Sequence, residues 1–178
     1  SDPYSVKGLL AAAIRDDDPV FLINDKKLIN LDGFVPEEDY VIELGKGRYT
    51  RRGADVTLVG MSYTSIVCQQ AAEQLAEIGI DAEVIDMMSL SPFDEDILIE
   101  SVQKTNNAVI VDEDTPRASM SSEFAAVIAD KAFDYLDAPV KRVTAPHSPV
   151  PYNRELEHAY MPQPADVVGT VKNLLAQE

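Results

Sequence analysis

One pattern constrains this chain more than any other. From residue 54 onward, continuous apolar runs alternate with amphipathic segments, and the unit recurs every ~25–30 residues, as successive β-α units do. The apolar runs are residues 56–61, 82–87, 108–111 and 139–144. They do not alternate strictly between polar and apolar, which is how strands covered on both faces read. Four helical patterns follow them, one after each run. Residues 64–78 carry Val67, Ala71, Leu75 and Ile78 on one stripe, with Gly79 as the stop. Ser91 and Pro92 open a second helix through Ile97, Leu98 and Val102. A third, around residues 120–132, buries Phe124, Val127 and Ile128. Pro164 opens the last, through Val167, Val168, Val171, Leu174 and Leu175. The expected fold is α/β: a mainly parallel open sheet with helices on both faces, spanning residues 54–178.

The front of the chain does not join this pattern. In "SDPYSVKGLLAAAIRDDDPVFLI", Asp2 caps a helix and Pro3 fits its first turn. Val6, Leu9, Leu10, Ala13 and Ile14 make one apolar face, and residues 20–23 read as a short strand. A helix with one strand has no sheet to lie on. Residues 1–23 therefore read as the tail of an upstream domain. Residues 24–53, rich in Gly and Pro with one short strand at 40–44, read as a linker arm.

Charge and composition narrow the function. Thirty-one acidic residues against fifteen basic give a net charge of −16. That balance disfavours nucleic acid and anionic membrane, because binding to either requires phosphate neutralisation. It suits either a solvated surface or a docking face for a basic partner. With Cys68, His147 and His158 as the whole Cys/His inventory, no zinc site of those ligands is expected. No apolar run approaches a membrane span, and a cytoplasmic location is expected.

Ligands on open parallel sheets sit beyond the carboxyl ends of the strands. "VGMSYTS" lacks the G-x-G-x-x-G spacing, and no phosphate-binding G-x-x-x-x-G-K-[ST] occurs. "VDEDTPRASMSSE" places three carboxylates and Arg117 before a helix start. It reads either as an anion site or as a helix capped by Ser121 or Ser122 with Arg117 paired to a carboxylate. Asp112, Glu113 and Asp114 could share a divalent ion only if the chain bends, since neighbours in an extended chain face opposite ways. His147, in the proline-stiffened "TAPHSPVPYN", is either structural or the base of an independent α/β enzyme. Cys68, inside a helix, reads as core.

Several stretches resemble a known family: "DPYSVKGLLAAAIRDDDPVFL", "VPEEDYVIELGKG", "AEVIDMMSLSPFDEDILIESVQKT", "DAPVKRVTAPHSPVPYN" and "PQPADVV". They are similar to the carboxyl-terminal half of the beta subunit of thiamine-diphosphate-dependent 2-oxo acid dehydrogenases. "NDKKLINLDGFVPEE" and "VDEDTPRAS" resemble the acetoin dehydrogenase branch. The resemblance implies a transketolase C-terminal-like domain at residues 54–178, an alpha subunit and a second beta subunit as partners, and docking to a lipoyl acyltransferase core. It implies that the assembled enzyme carries thiamine diphosphate and magnesium, neither of them expected on this chain alone. It also implies a potassium ion on the backbone carbonyls of Ala13, Asp16 and Asp18, and partner contacts near Asp137, Glu155 and Glu157. The alternative functions are a non-catalytic assembly module and an enzyme using His147.

Overall fold

The computed structural model describes residues 1–176. Five strands form one sheet in the order β1-β3-β2-β4-β5. They are β1 (Arg48–Arg51), β2 (Val56–Gly60), β3 (Ala82–Asp86), β4 (Ala108–Asp112) and β5 (Lys141–Thr144). The helices are α1 (Pro3–Arg15), α2 (Tyr63–Glu77), α3 (Glu95–Thr105), α4 (Met120–Lys131), α5 (Arg154–Tyr160) and α6 (Pro164–Leu175). Strands β3, β2, β4 and β5 run parallel, whereas β1 joins β3 antiparallel with a register break between Tyr49 and Arg51.

Each central strand divides its side chains between two cores, so every position is buried and the apolar runs are continuous. Val56, Leu58, Val84, Val109 and Val111 pack under α2 (Val67, Ala71, Leu75) and α6 (Val167, Val171, Leu174). Val59, Ile85 and Ile110 pack under α3 (Leu98, Val102) and α4 (Phe124, Ile128) on the opposite face. This is the α/β architecture expected from the alternation.

Several local expectations are corrected. Helix α3 starts at Glu95, beyond Ser91 and Pro92. Asp94 is its cap, accepting from Ile97 N at 3.4 Å, and Glu95 and Asp96 place acid in the first turn, where the helix dipole favours it. Residues 20–23 and 40–44 form no strand. Val20, Phe21 and Ile23 have no neighbouring strand and stay exposed, while Ile42 N donates to Gly8 O at 3.1 Å, an isolated backbone bond. Conversely, Arg48–Arg51, read as arm, is an edge strand of the sheet. The seven-residue α5 follows the proline-rich loop, capped by Asn153, which accepts from Glu155 N and Leu156 N.

Helix α1 is capped as expected, with Asp2 Oδ1 accepting from Ser5 N at 2.7 Å. Its contacts are not the expected ones. The small residue Gly8 faces the arm so closely that a Cβ there would lie 2.6 Å from the Ile42 side chain. Tyr4 stacks on Tyr40 with centroids 4.5 Å apart, and the Tyr40 hydroxyl donates to Tyr4 O at 2.8 Å. Of the expected apolar face only Leu9 is buried; Val6, Leu10 and Ile14 are exposed.

Candidate functional site

The sheet reverses its direction of growth between β2 and β4, and the carboxyl ends of these strands frame the crevice where such sheets bind ligands. On one side, β2 ends in Gly60. A Cβ there would meet Ser65 Cα and N at 2.7 Å, so only glycine lets α2 start this close to the strand. Ser62 then turns the chain at φ 53°, ψ −124°. The Thr64 hydroxyl accepts from Met61 N at 3.0 Å and donates to Val111 O at 2.9 Å, which ties this turn to β4.

On the other side, β4 ends in the buried Asp112. Its Oδ2 accepts from Ser121 N at 3.0 Å and its Oδ1 from Asp114 N at 3.0 Å. The strand-end carboxylate therefore caps α4 from outside the helix. Ser119 occupies the cap position, and neither Ser121 nor Ser122 does. Ser122 instead accepts from Arg142 Nη1 at 2.6 Å. Arg117 is exposed and forms no ion pair among the described residues, so the expected pairing is absent. Glu113 and Asp114 are exposed beside the committed Asp112, and among the described residues no three His, Cys, Asp or Glu side chains converge on one point. His147 is exposed, and its ring makes no hydrogen bond among the described residues, so it lacks the oriented partner a general base needs. Cys68 is fully buried; burial pushes its thiol up, away from the reactive thiolate, and it is a core residue as expected.

The residues singled out for partners and potassium fall in three places. Ala13 lies in the last turn of α1, Asp16 is its C-cap, and Asp16 Oδ1 accepts from Asp18 N at 2.9 Å. No backbone N–H from beyond the helix reaches the carbonyls of residues 12–15 among the described residues. Asp137 sits at the amino end of β5, where its N–H donates to Asn106 O at 3.0 Å. Glu155 and Glu157 lie on α5, past the carboxyl end of β5, and Glu157 pairs with Lys27 at 3.8 Å. The strand separates Asp137 from the two glutamates, so the three do not form one patch.

Sequence reasoning missed a charged latch. Asp86 is completely buried at the end of β3 and accepts from Arg48 Nε at 3.2 Å and Nη2 at 3.0 Å. The same guanidinium also pairs with Asp2. Burial alone would raise the Asp2 carboxyl; the Ser5 N–H and the Arg48 guanidinium outweigh it and hold the group below its ordinary value. One arginine on the edge strand thus joins the cap of α1 to the core of the sheet. The signal was available: "AEVIDM" carries two carboxylates inside an apolar strand, and a buried charge requires a partner. Glu83, the other, is bonded by the Ser101 hydroxyl at 2.6 Å and paired with Lys104.

A second feature is a run of exposed large apolar residues at the front. Val6, Leu10 and Ile14 on α1 are joined by Phe21, Ile23 and Phe34, the last three each more than four-fifths exposed. Such a strip costs solubility unless another surface covers it.

Comparison with known proteins fits this geometry. The family model of the transketolase C-terminal domain matches residues 45–167. The chain is 50% identical over 177 residues, 99% of its length and 52% of the relative's, to the beta subunit of acetoin:2,6-dichlorophenolindophenol oxidoreductase from Bacillus subtilis. The subunit of the same description from Cupriavidus necator is 40% identical over 98% of this chain and 52% of that protein. The chain spans about half the length of the curated relatives it matches. Among solved structures, a split-gene transketolase described as an inactive beta4 tetramer superposes with a TM-score of 0.68 and 29% identity, over 82% of this chain and 46% of the other.

Proposed function

This chain belongs to the transketolase C-terminal domain family, and from that premise we propose that it is the carboxyl-terminal part of the beta subunit of a thiamine-diphosphate-dependent dehydrogenase acting on acetoin or a 2-oxo acid. In the assembled enzyme an acyl group passes to lipoamide, and this part builds the subunit interface and the docking surface for the acyltransferase core. The observation that carries the reading is the 50% identity to a beta subunit over the front helix and arm as well as the α/β unit. The exposed apolar strip at the front supports an interface role, because it offers large side chains to a neighbouring surface.

The strand-end residues of this chain do not fit a magnesium diphosphate. Asp112 is taken up by two backbone N–H groups, and no three potential ligands converge among the described residues. The reading therefore assigns thiamine diphosphate and magnesium to the alpha subunit and the rest of the beta subunit, in a heterotetramer located in the cytoplasm. The reading also assigns a potassium ion to the end of α1, where the carbonyls of Ala13, Asp16 and Asp18 would supply the hard oxygen ligands such a cation takes; in support, no backbone N–H from beyond the helix occupies the carbonyls of residues 12–15 among the described residues. Asp137 on one side of β5, and Glu155 and Glu157 on the other, are the proposed acidic contacts for the basic docking segment of the core.

Calorimetric titration of magnesium thiamine diphosphate into the purified chain, together with gel filtration of the chain mixed with an alpha subunit, tests the proposal. The expected result is no saturable heat from the chain alone and co-elution with the alpha subunit. Saturable binding by the chain alone, or separate elution of the two, overturns it.

A further inference from the structure

A line of polar side chains runs through the core on the side of the sheet covered by α3. Glu83 on β3 and Thr57 on β2 are register partners, and Ser101 and Thr105 on α3 reach down to them. All four are buried, at 3% exposure or less. Their oxygens form an unbroken series: Glu83 Oε1 to Ser101 Oγ, Ser101 Oγ to Thr57 Oγ1, and Thr57 Oγ1 to Thr105 Oγ1, each 2.6 Å. Past its end, Thr105 Oγ1 lies 3.1 Å from Ser101 O and 3.2 Å from Asn107 O. The other carboxylate oxygen of Glu83 faces donors only: the Lys104 ammonium, Gly53 N at 3.4 Å and Arg52 Nη1 at 3.8 Å. Every member lies within residues 45–167, the span of the family match.

An oxygen–oxygen contact of 2.6 Å holds one proton. The series has three such contacts and three hydroxyl protons, because an ionised carboxylate only accepts. Ser101 therefore donates to Glu83, Thr57 to Ser101 and Thr105 to Thr57. No hydroxyl proton is left for the carbonyls of Ser101 and Asn107, although a helical threonine ordinarily bonds the carbonyl four residues back. We infer that Glu83 is the switch of a directional hydroxyl relay: its charge points all three hydroxyls toward β3, and loss of that charge reverses them and delivers the Thr105 proton to Ser101 O or Asn107 O. Asn107 O already accepts from Thr57 N at 2.8 Å, a bond that joins β4 to β2. The relay thus connects an ion-pair site at the surface, where Lys104 and Arg52 are exposed, to the pairing of two central strands. It rests on proton counting within the core and does not depend on the reaction the chain serves.

Glu83→Gln on the full chain removes the charge and keeps the shape. The amide oxygen must face Lys104 and Gly53, which only donate, so the amide nitrogen faces Ser101 and donates to it. Carbonyl carbon resonances of Ser101 and Asn107 are compared by nuclear magnetic resonance; one of the two should move downfield in E83Q. Thr105→Val is then measured by urea unfolding in both backgrounds. In the parent it strands no donor, because Thr57 still donates to Ser101. In E83Q it removes the acceptor of the Thr57 proton and leaves a buried donor unsatisfied. The fall in midpoint caused by T105V should be about twice as large in E83Q as in the parent. Equal falls in the two backgrounds overturn the relay, as do two unmoved carbonyl resonances. The parent background alone also decides the direction: T105V should lower its midpoint by less than ~0.75 M, and a larger fall overturns the inference whether or not E83Q folds.

Discussion

Removing the Asp86 carboxylate tests whether the buried latch seats the front helix. Asp86 is 0% exposed and holds Arg48 through two N–H groups, at 3.2 and 3.0 Å. Asp86→Ala deletes both bonds, together with the bond Asp86 Oδ1 accepts from the Ser1 hydroxyl at 2.6 Å, and leaves a guanidinium that is 29% exposed with Asp2 as its remaining carboxylate partner. Breaking a buried ion pair costs about 3–5 kcal/mol when the survivor is stranded. Here the survivor keeps Asp2 and part of its hydration, so the loss should be about 2–3 kcal/mol. With a urea m-value of ~2 kcal/mol/M, the unfolding midpoint falls by about 1–1.5 M while the slope stays unchanged. Asp86→Asn, which keeps an acceptor oxygen and loses the charge, should cost about 1 kcal/mol less. Arg52→Ala serves as the control: Arg52 is 67% exposed, 3.8 Å from Glu83 and stacked 3.3 Å from the centre of the Tyr49 ring, and its loss should cost about 1 kcal/mol or less. Amide exchange adds locality, since α1 should lose protection in D86A before the central strands do. A D86A midpoint within ~0.3 M of the parent, or equal losses in D86A and R52A, refutes the latch.

Two further outcomes follow from the same geometry. Gly60→Ala puts a Cβ 2.7 Å from the Cα and N of Ser65 and from the carbonyl carbon of Thr64, all backbone atoms with no rotamer to yield, so a loss of at least ~2 kcal/mol in urea unfolding is expected. Asp2, whose carboxyl is held below its ordinary value, contributes stability that is complete above the unfolded value of about 3.9 and disappears as pH falls through the lower folded value. The melting temperature of Asp2→Asn should therefore lie below that of the parent at pH 7 and converge with it as pH falls through the lowered folded value; a gap independent of pH counts against the linkage.

What could be read in advance, and what could not, divides along the source of each element's stability. Strands β2, β3 and β4 and helices α2, α4 and α6 bury side chains on both sides or along one stripe, and that burial is written directly into the apolar pattern. Strand β1 has no such record. "RYTR" is an edge strand, with none of its four residues buried and arginines at both ends, and its reason for being a strand is β3 beside it. Helix α5 is likewise set by a local cap on seven residues with one buried side chain, which leaves little periodicity to detect. The start of α3 was misread because Pro92 resembles a first-turn proline, while the cap that governs is Asp94, two residues further on. At the crevice, the carboxylate-rich "VDEDTPRASMSSE" was read correctly as the approach to a helix start. Which group caps it was not legible, since the cap comes from the preceding strand and depends on how β4 meets α4.

The front helix carries the strongest structural argument for an interface. Amphipathic reading assumes that a helix turns its large apolar residues toward the rest of its chain. Helix α1 does the reverse. The positions touching this chain are small or polar: Gly8 against Ile42, Ser5 buried, Asp2 and Lys7 bonded to the sheet and the arm. Leu9, buried, and Tyr4, stacked on Tyr40, follow the rule; Val6, Leu10 and Ile14 are exposed along the helix, and Phe21 and Ile23 beyond it are exposed as well. Leaving five such side chains in water forgoes roughly 1.5–3 kcal/mol for each that could be fully buried. A sequence that caps the helix with Asp2, locks it with Arg48 and packs its small residue inward has fixed the orientation of the large residues. Fixed orientation is what an interface requires and what a free surface helix does not. The outward stripe is therefore best explained as one half of a contact whose other half is a separate apolar surface, in keeping with the interface role proposed above.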